Sequence, residues 1–158
     1  KESTGITGLS AKSLNLSQFF GQMSELSLPA GEVTVGDDWA QTVRFTSATG
    51  ETVMITPHST LKRMTEVRGY PCAEIETTVS VPMKAKMKLL DADTKITGKY
   101  DITMTSHFAV DAGRLVDMTG KAKVDQELLL TLIPEGSKKK TTTKVLAKSD
   151  LDFAMALQ

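Results

Sequence analysis

The run Leu28-Pro29-Ala30-Gly31-Glu32-Val33-Thr34-Val35-Gly36-Asp37-Asp38-Trp39 constrains the fold of this chain more than any other. Pro29 disfavours helix in the residue before it and ends any helical tendency. Behind it, Val33-Thr34-Val35 reads as a short strand and Gly36-Asp37-Asp38 as a turn. Trp39, the only Trp, starts a second strand. From Val33 onward the apolar residues recur with period two, the signature of strands with one buried face. Between Met83 and Leu90, Met83, Ala85, Met87 and Leu89 alternate with Lys84, Lys86 and Lys88, the cleanest half-buried strand in the chain.

The remaining elements follow from spacing and turn chemistry. Residues 1–12 read as an extended or mobile lead-in. Leu16, Phe19, Phe20 and Met23 have helical spacing, which predicts one short helix between about Ser13 and Ser24. Trp39, Gln41, Val43 and Phe45 fall on one strand face, with Trp39 expected to be largely buried. Thr52–Thr56 is a strand, and Pro57 marks an edge or bend. Ser59–Val67 places Leu61, Arg63, Thr65 and Val67 on one side. Turns are expected at Arg68-Gly69-Tyr70, Asp91–Thr94, Asp111–Arg114 and Pro134–Ser137, with long strands between. Long antiparallel strands of this kind make a mainly β fold: a strongly curved meander sheet or half-barrel with one short N-terminal helix. The 158 residues suit a single domain.

Composition removes several classes of function. Lys and Arg number 19 and Asp and Glu 19, for a net charge of +0, a balance that argues against non-specific binding to nucleic acid and against adsorption to anionic lipid by charge alone. Aromatic residues make up 5%, too few for a base-stacking platform, and nucleic acid is not an expected partner. Cys72 is the only cysteine, so no internal disulfide forms. The chain starts on Lys1 rather than Met, as after removal of a leader or trimming. Its longest apolar run, Leu128-Leu129-Leu130, is broken by Thr131, and no transmembrane segment is predicted.

The pattern Leu-Pro-x-x-x-Val-x-Val-Gly-Asp-x-Trp at 28–39 resembles one in an uncharacterised family of exported bacterial β-rich domains of unknown function. Ser59–Ile75, a strand, Gly turn and strand, fits the same pattern. So does Ser106–Val116, with its Asp-x-Gly-Arg-Leu hairpin at 111–115. The resemblance covers roughly residues 28–133. It implies a periplasmic, cell-surface or secreted setting, lipoprotein-like in kind, with no known enzymatic activity and no catalytic motif to carry over.

The residues themselves offer little chemistry. His58 and His107 are the only histidines, and with Cys72 they make a metal site only if strand pairing gathers them. The simpler account puts His58 at a bend and His107 on a polar face; no metal or other cofactor is expected. Asp37-Asp38 and Asp91-x-Asp93 lack the spaced ligands of a calcium loop and read as turns. Glu74 and Glu76 share a strand face, where cross-strand ion pairing is favoured over acid–base work. No phosphate loop or nucleophile elbow occurs. Lys138-Lys139-Lys140 reads as a solvated hairpin tip, or as a contact for an acidic partner or lipid headgroups. The expected function is therefore a non-catalytic envelope or secreted domain. Its candidate apolar face is Met83, Met87, Leu89, Ile102, Met104 and Phe108, holding a lipid-like molecule or meeting an envelope protein. The alternative is a structural or adhesive domain with a filled core and no ligand.

Overall fold

The computed structural model describes residues 28–46, 50–89 and 92–156. The helix expected at Ser13–Ser24 and the lead-in at 1–12 lie outside the described residues.

Within them the chain is strand and turn. The strands are β1 (Asp38–Ala40), β2 (Val43–Thr46), β3 (Thr52–Ile55), β4 (His58–Val67), β5 (Tyr70–Leu89), β6 (Ala92–Ala109), β7 (Arg114–Leu132) and β8 (Thr141–Ala156). Six of them form one antiparallel sheet in the order β1-β4-β5-β6-β7-β8, which does not close on itself; β2 and β3 form a separate hairpin. The long strands follow from unbroken alternation. Pro82 is tolerated inside β5 because β4 covers that strand only as far as Thr78, so the far side of Pro82 needs no ladder donor. The β4–β5 turn is the two-residue Arg68-Gly69 with φ of 52° and 80°, the left-handed pair that matches strand twist.

The register sorts the side chains onto two faces. Odd positions of β5 and β8 and even positions of β6 and of β7 beyond Asp117 share the apolar face. Val81, Tyr100, Ile102, Met118, Ala122 and Val124 are buried there in one cluster. Each large aliphatic side chain so buried contributes about 1.5–3 kcal/mol. The β2–β3 hairpin lies over this face, adding Val43, Phe45 and Ile55 to the cluster. The opposite face carries Lys84, Lys86 and Lys88, all exposed, and the charges of the neighbouring strands.

The expected alternation changes in five places. Val33–Val35 is not a strand: Asp37 folds back to accept from Thr34 N–H at 2.8 Å and Thr34 O–H at 3.0 Å, closing a turn over Gly36. Trp39 is half-buried rather than largely buried, because β1 is a short edge strand and the chain leaves the sheet after Ala40. Trp39 and Val43 therefore serve different clusters. Ala92, Asp93 and Thr94 belong to β6, Leu89 pairing directly with Ala92, so the turn is shorter than Asp91–Thr94. Val110, expected on the strand, sits in the β6–β7 turn. A β-bulge between Leu61 and Arg63 splits the expected row, leaving Leu61 on the apolar face with Ile75 and moving Arg63 to the polar face opposite Glu74.

Candidate functional site

The polar face holds one dense arrangement of chemistry-bearing side chains. Arg63, Glu74, His107 and Asp117 stand directly opposite one another in sequence across β4, β5, β6 and β7. Two β-bulges create this row. The first, at Lys62, places Lys62 and Arg63 together on the polar side. The second, at Val116, lets Leu115 face Phe108 while Asp117 faces His107. Without the second bulge Asp117 would fall on the apolar face.

The contacts run along the row. Arg63 Nε and Nη2 donate to Glu74 Oε2 at 3.0 and 2.9 Å, and His107 Nε2 reaches the same oxygen at 3.2 Å. His107 Nδ1 meets Asp117 Oδ1. An imidazole with a carboxylate on each nitrogen must donate from both, so the arrangement calls for the imidazolium. Partial burial pulls the His107 pKa down, but the hydrogen bonds to Asp117 and Glu74 outweigh it and the net shift is upward. The Arg63 hydrogen bond, aided by His107 and opposed by burial, holds the Glu74 carboxyl below its ordinary range. The charges alternate in sign and satisfy one another. With both nitrogens engaged, His107 in this state has no lone pair to take a proton from a substrate.

Beside the row, Glu76 pairs with Lys62 at 3.8 Å, so both strand-face glutamates are engaged across strands. Strand pairing does not gather the histidines and the cysteine. His58 pairs with Ala40 and Thr78. Cys72 is fully buried with Ala109 and Val116. Lys138, Lys139 and Lys140 are exposed in the β7–β8 connection.

Of the six apolar candidates, Met83, Met87, Ile102, Met104 and Phe108 share one sheet face but not one patch. Met83, Ile102 and Met104 are 8%, 1% and 3% exposed, and Met87 packs half-buried against the same cluster. Phe108 belongs to a second cluster with Leu61, Ala73, Ile75 and Trp39. Leu89 ends β5, and its side chain is outside the described residues. The Met83 thioether accepts from Tyr100 O–H at 3.2 Å, which gives that buried hydroxyl a partner. Besides Met87 and Leu130, the column along β8 stays partly accessible on this face: Val145, Ala147, Leu151, Phe153 and Met155. A depression of about 740 Å3 opens elsewhere, bordered by polar-face side chains including Asp101, Thr103, Thr119, Lys121 and Lys123.

The spacing of the sequence carried a sign of the charge row that period-two reasoning passed over. In Leu61-Lys62-Arg63-Met64 and Leu115-Val116-Asp117-Met118 the apolar face skips from i to i+3. Such a skip is how a bulge appears in sequence. No family model, curated protein or solved structure matches this chain.

Proposed function

We propose that the chain is a non-catalytic domain of the bacterial envelope or of a secreted protein, binding an apolar, lipid-like molecule on the inner face of a curved sheet. The observation that carries this reading is the apolar face that continues from β5 to β8 and ends in a half-accessible column on β8. Curvature is favoured by Gly98 and Gly120, which remove the Cβ from that face on adjacent strands where the backbones crowd together. Met87 and Met155, partly buried at the margin of that face, suit an adaptable apolar surface. The engagement of both His107 nitrogens speaks for a non-catalytic role. The envelope setting rests on the resemblance carried by Leu28–Trp39.

A structural or adhesive domain without ligand is the second reading, favoured by the near-complete burial of Met83, Ile102 and Met104. Native mass spectrometry before and after organic extraction separates the two. The ligand reading expects a lipid-mass adduct that extraction removes, oleate restores, and Leu151→Lys abolishes. A protein with no adduct and no oleate binding refutes it.

A further inference from the structure

The neutral total hides a separation of charge along the sheet. Pro82, Lys99, Asp125 and Lys148 stand opposite one another across β5, β6, β7 and β8. Residues 82–99 and 125–148, this row and the chain beyond it, hold ten of the fifteen lysines, five acidic residues and no arginine. The rest of the chain carries an equal and opposite excess. Lys99, Lys144 and Lys148 are paired, with Asp101 at 2.8 Å, Glu127 at 2.7 Å and Asp125 at 3.5 Å. The other seven lysines of this end are exposed and make no ion pair among the described residues.

Register gathers several of them. Lys86 stands directly opposite Lys95, Lys95 opposite Leu129, and Leu129 opposite Lys144, one row across four strands on the polar face. Like charges placed directly opposite destabilise a sheet. The row of Arg63, Glu74, His107 and Asp117 alternates in sign and satisfies itself. The lysine row leaves Lys86 and Lys95 to be neutralised from outside. Beside it lies a depression of about 600 Å3, bordered by Lys86, Lys88, Lys95, Leu129, Thr131 and Thr142.

The same end carries an apolar tip. Leu132 and Ile133, where β7 runs out, are 44% and 60% exposed, and Lys138, Lys139 and Lys140 follow in the same connection. The lysine row lies three residues back from Leu132, about 10 Å of strand. Apolar side chains seated about 5–10 Å into the boundary between headgroups and acyl chains bring that row to the headgroups, where long lysine stems reach the phosphates. We propose that this end of the sheet docks on an anionic lipid bilayer, Leu132 and Ile133 entering the interface and the lysines meeting the headgroups. An acidic protein or a nucleic acid accounts for the charge but not for Leu132 and Ile133. The lack of arginine at this end also speaks against a partner read by paired hydrogen bonds. Docking of this kind needs no ligand on the apolar face.

Co-sedimentation of the 158-residue chain with lipid vesicles tests this. Vesicles of phosphatidylcholine with about 30% phosphatidylglycerol are expected to carry the protein down, and vesicles of phosphatidylcholine alone to leave it in solution. Lys86→Gln/Lys95→Gln is expected to lower the partition coefficient about thirtyfold, and Ile133→Ser about tenfold. Lys121→Gln/Lys123→Gln removes the same charge roughly 30 Å from the tip, well beyond the Debye length of about 8 Å, and is expected to leave binding within about twofold of the wild type. All three replace exposed side chains, so far-ultraviolet circular dichroism should not change. A wild type that ignores the mixed vesicles overturns the proposal. So does equal binding to both compositions, or a loss in Lys121→Gln/Lys123→Gln as large as in Lys86→Gln/Lys95→Gln. Binding that needs the lysines but not Ile133 assigns the surface to an acidic macromolecule and overturns it as well.

Discussion

Gly120 is one of two glycines on the apolar face where a Cβ has no room, and Gly120→Ala measures the crowding there. A Cβ at this position would lie 2.3 Å from Phe153 Cζ, 2.8 Å from Phe153 Cε2 and 2.7 Å from the Thr103 carbonyl oxygen. The phenyl ring comes from the β8 residue directly opposite and can swing aside. The carbonyl belongs to the backbone of β6 and cannot move without bending the ladder. Overpacking of this kind costs roughly 1–3 kcal/mol. The lower chain entropy of alanine in the unfolded state returns about 0.4–1 kcal/mol. With a backbone atom among the obstacles the cost lies at the upper end, for a net loss of about 2 kcal/mol and a fall in Tm of roughly 4–8 °C. Urea titration of the intact chain reads it. Gly31→Ala is the control, since nothing stands within 4 Å of a Cβ there, and it should be neutral or slightly stabilising. Adding Phe153→Leu to Gly120→Ala should recover part of the loss but not all, because the Thr103 oxygen remains. A Gly120→Ala protein as stable as the control would refute the claim that β6, β7 and β8 crowd together at this point.

Two further outcomes follow from the site and the edge strand. The folded pKa of His107 is raised above its unfolded value of about 6.5, so its contribution is complete below about pH 6.5 and lost as pH rises through the raised value. That of Glu74 is lowered below an unfolded value of about 4.3, so its contribution is present above that pH and lost as pH falls through the lowered value. The row is therefore strongest between about pH 4.3 and 6.5, and His107→Gln should flatten the alkaline limb of a urea-stability profile; an alkaline limb unchanged in the variant would show that His107 does not cause it. Trp39, half-buried in the cluster of Leu61 and Ile75, should cost about 1.5–3 kcal/mol on replacement by Ala, less than the ~3–5 of a fully buried aromatic. Its native fluorescence should fall between the buried and solvated extremes, and a fully solvated emission would contradict the packing.

The sequence by itself determined the class of fold and, away from the two bulges, the assignment of faces. Period two is a local property of a strand, so Met83-Lys84-Ala85-Lys86-Met87 already states which side faces the core, whatever the neighbours are. The Gly turns at 69, 113 and 136 were legible for the same reason: left-handed backbone is a residue-level demand, met here at φ of 80°, 61° and 78°. Tertiary structure alone decided what stands opposite what. Arg63, Glu74, His107 and Asp117 are scattered over four strands, and two bulges had to slip the register by one residue before they formed a row. Trp39 and Val43 were expected on one face, yet they serve different clusters because the chain leaves the sheet between them. The apolar candidates divided in the same way, Phe108 joining Leu61 and Ile75 while Met83, Ile102 and Met104 joined the hairpin's Val43 and Phe45. Alternation tells each side chain its face, but position along that face depends on register, and register is set by pairing between strands far apart in the chain.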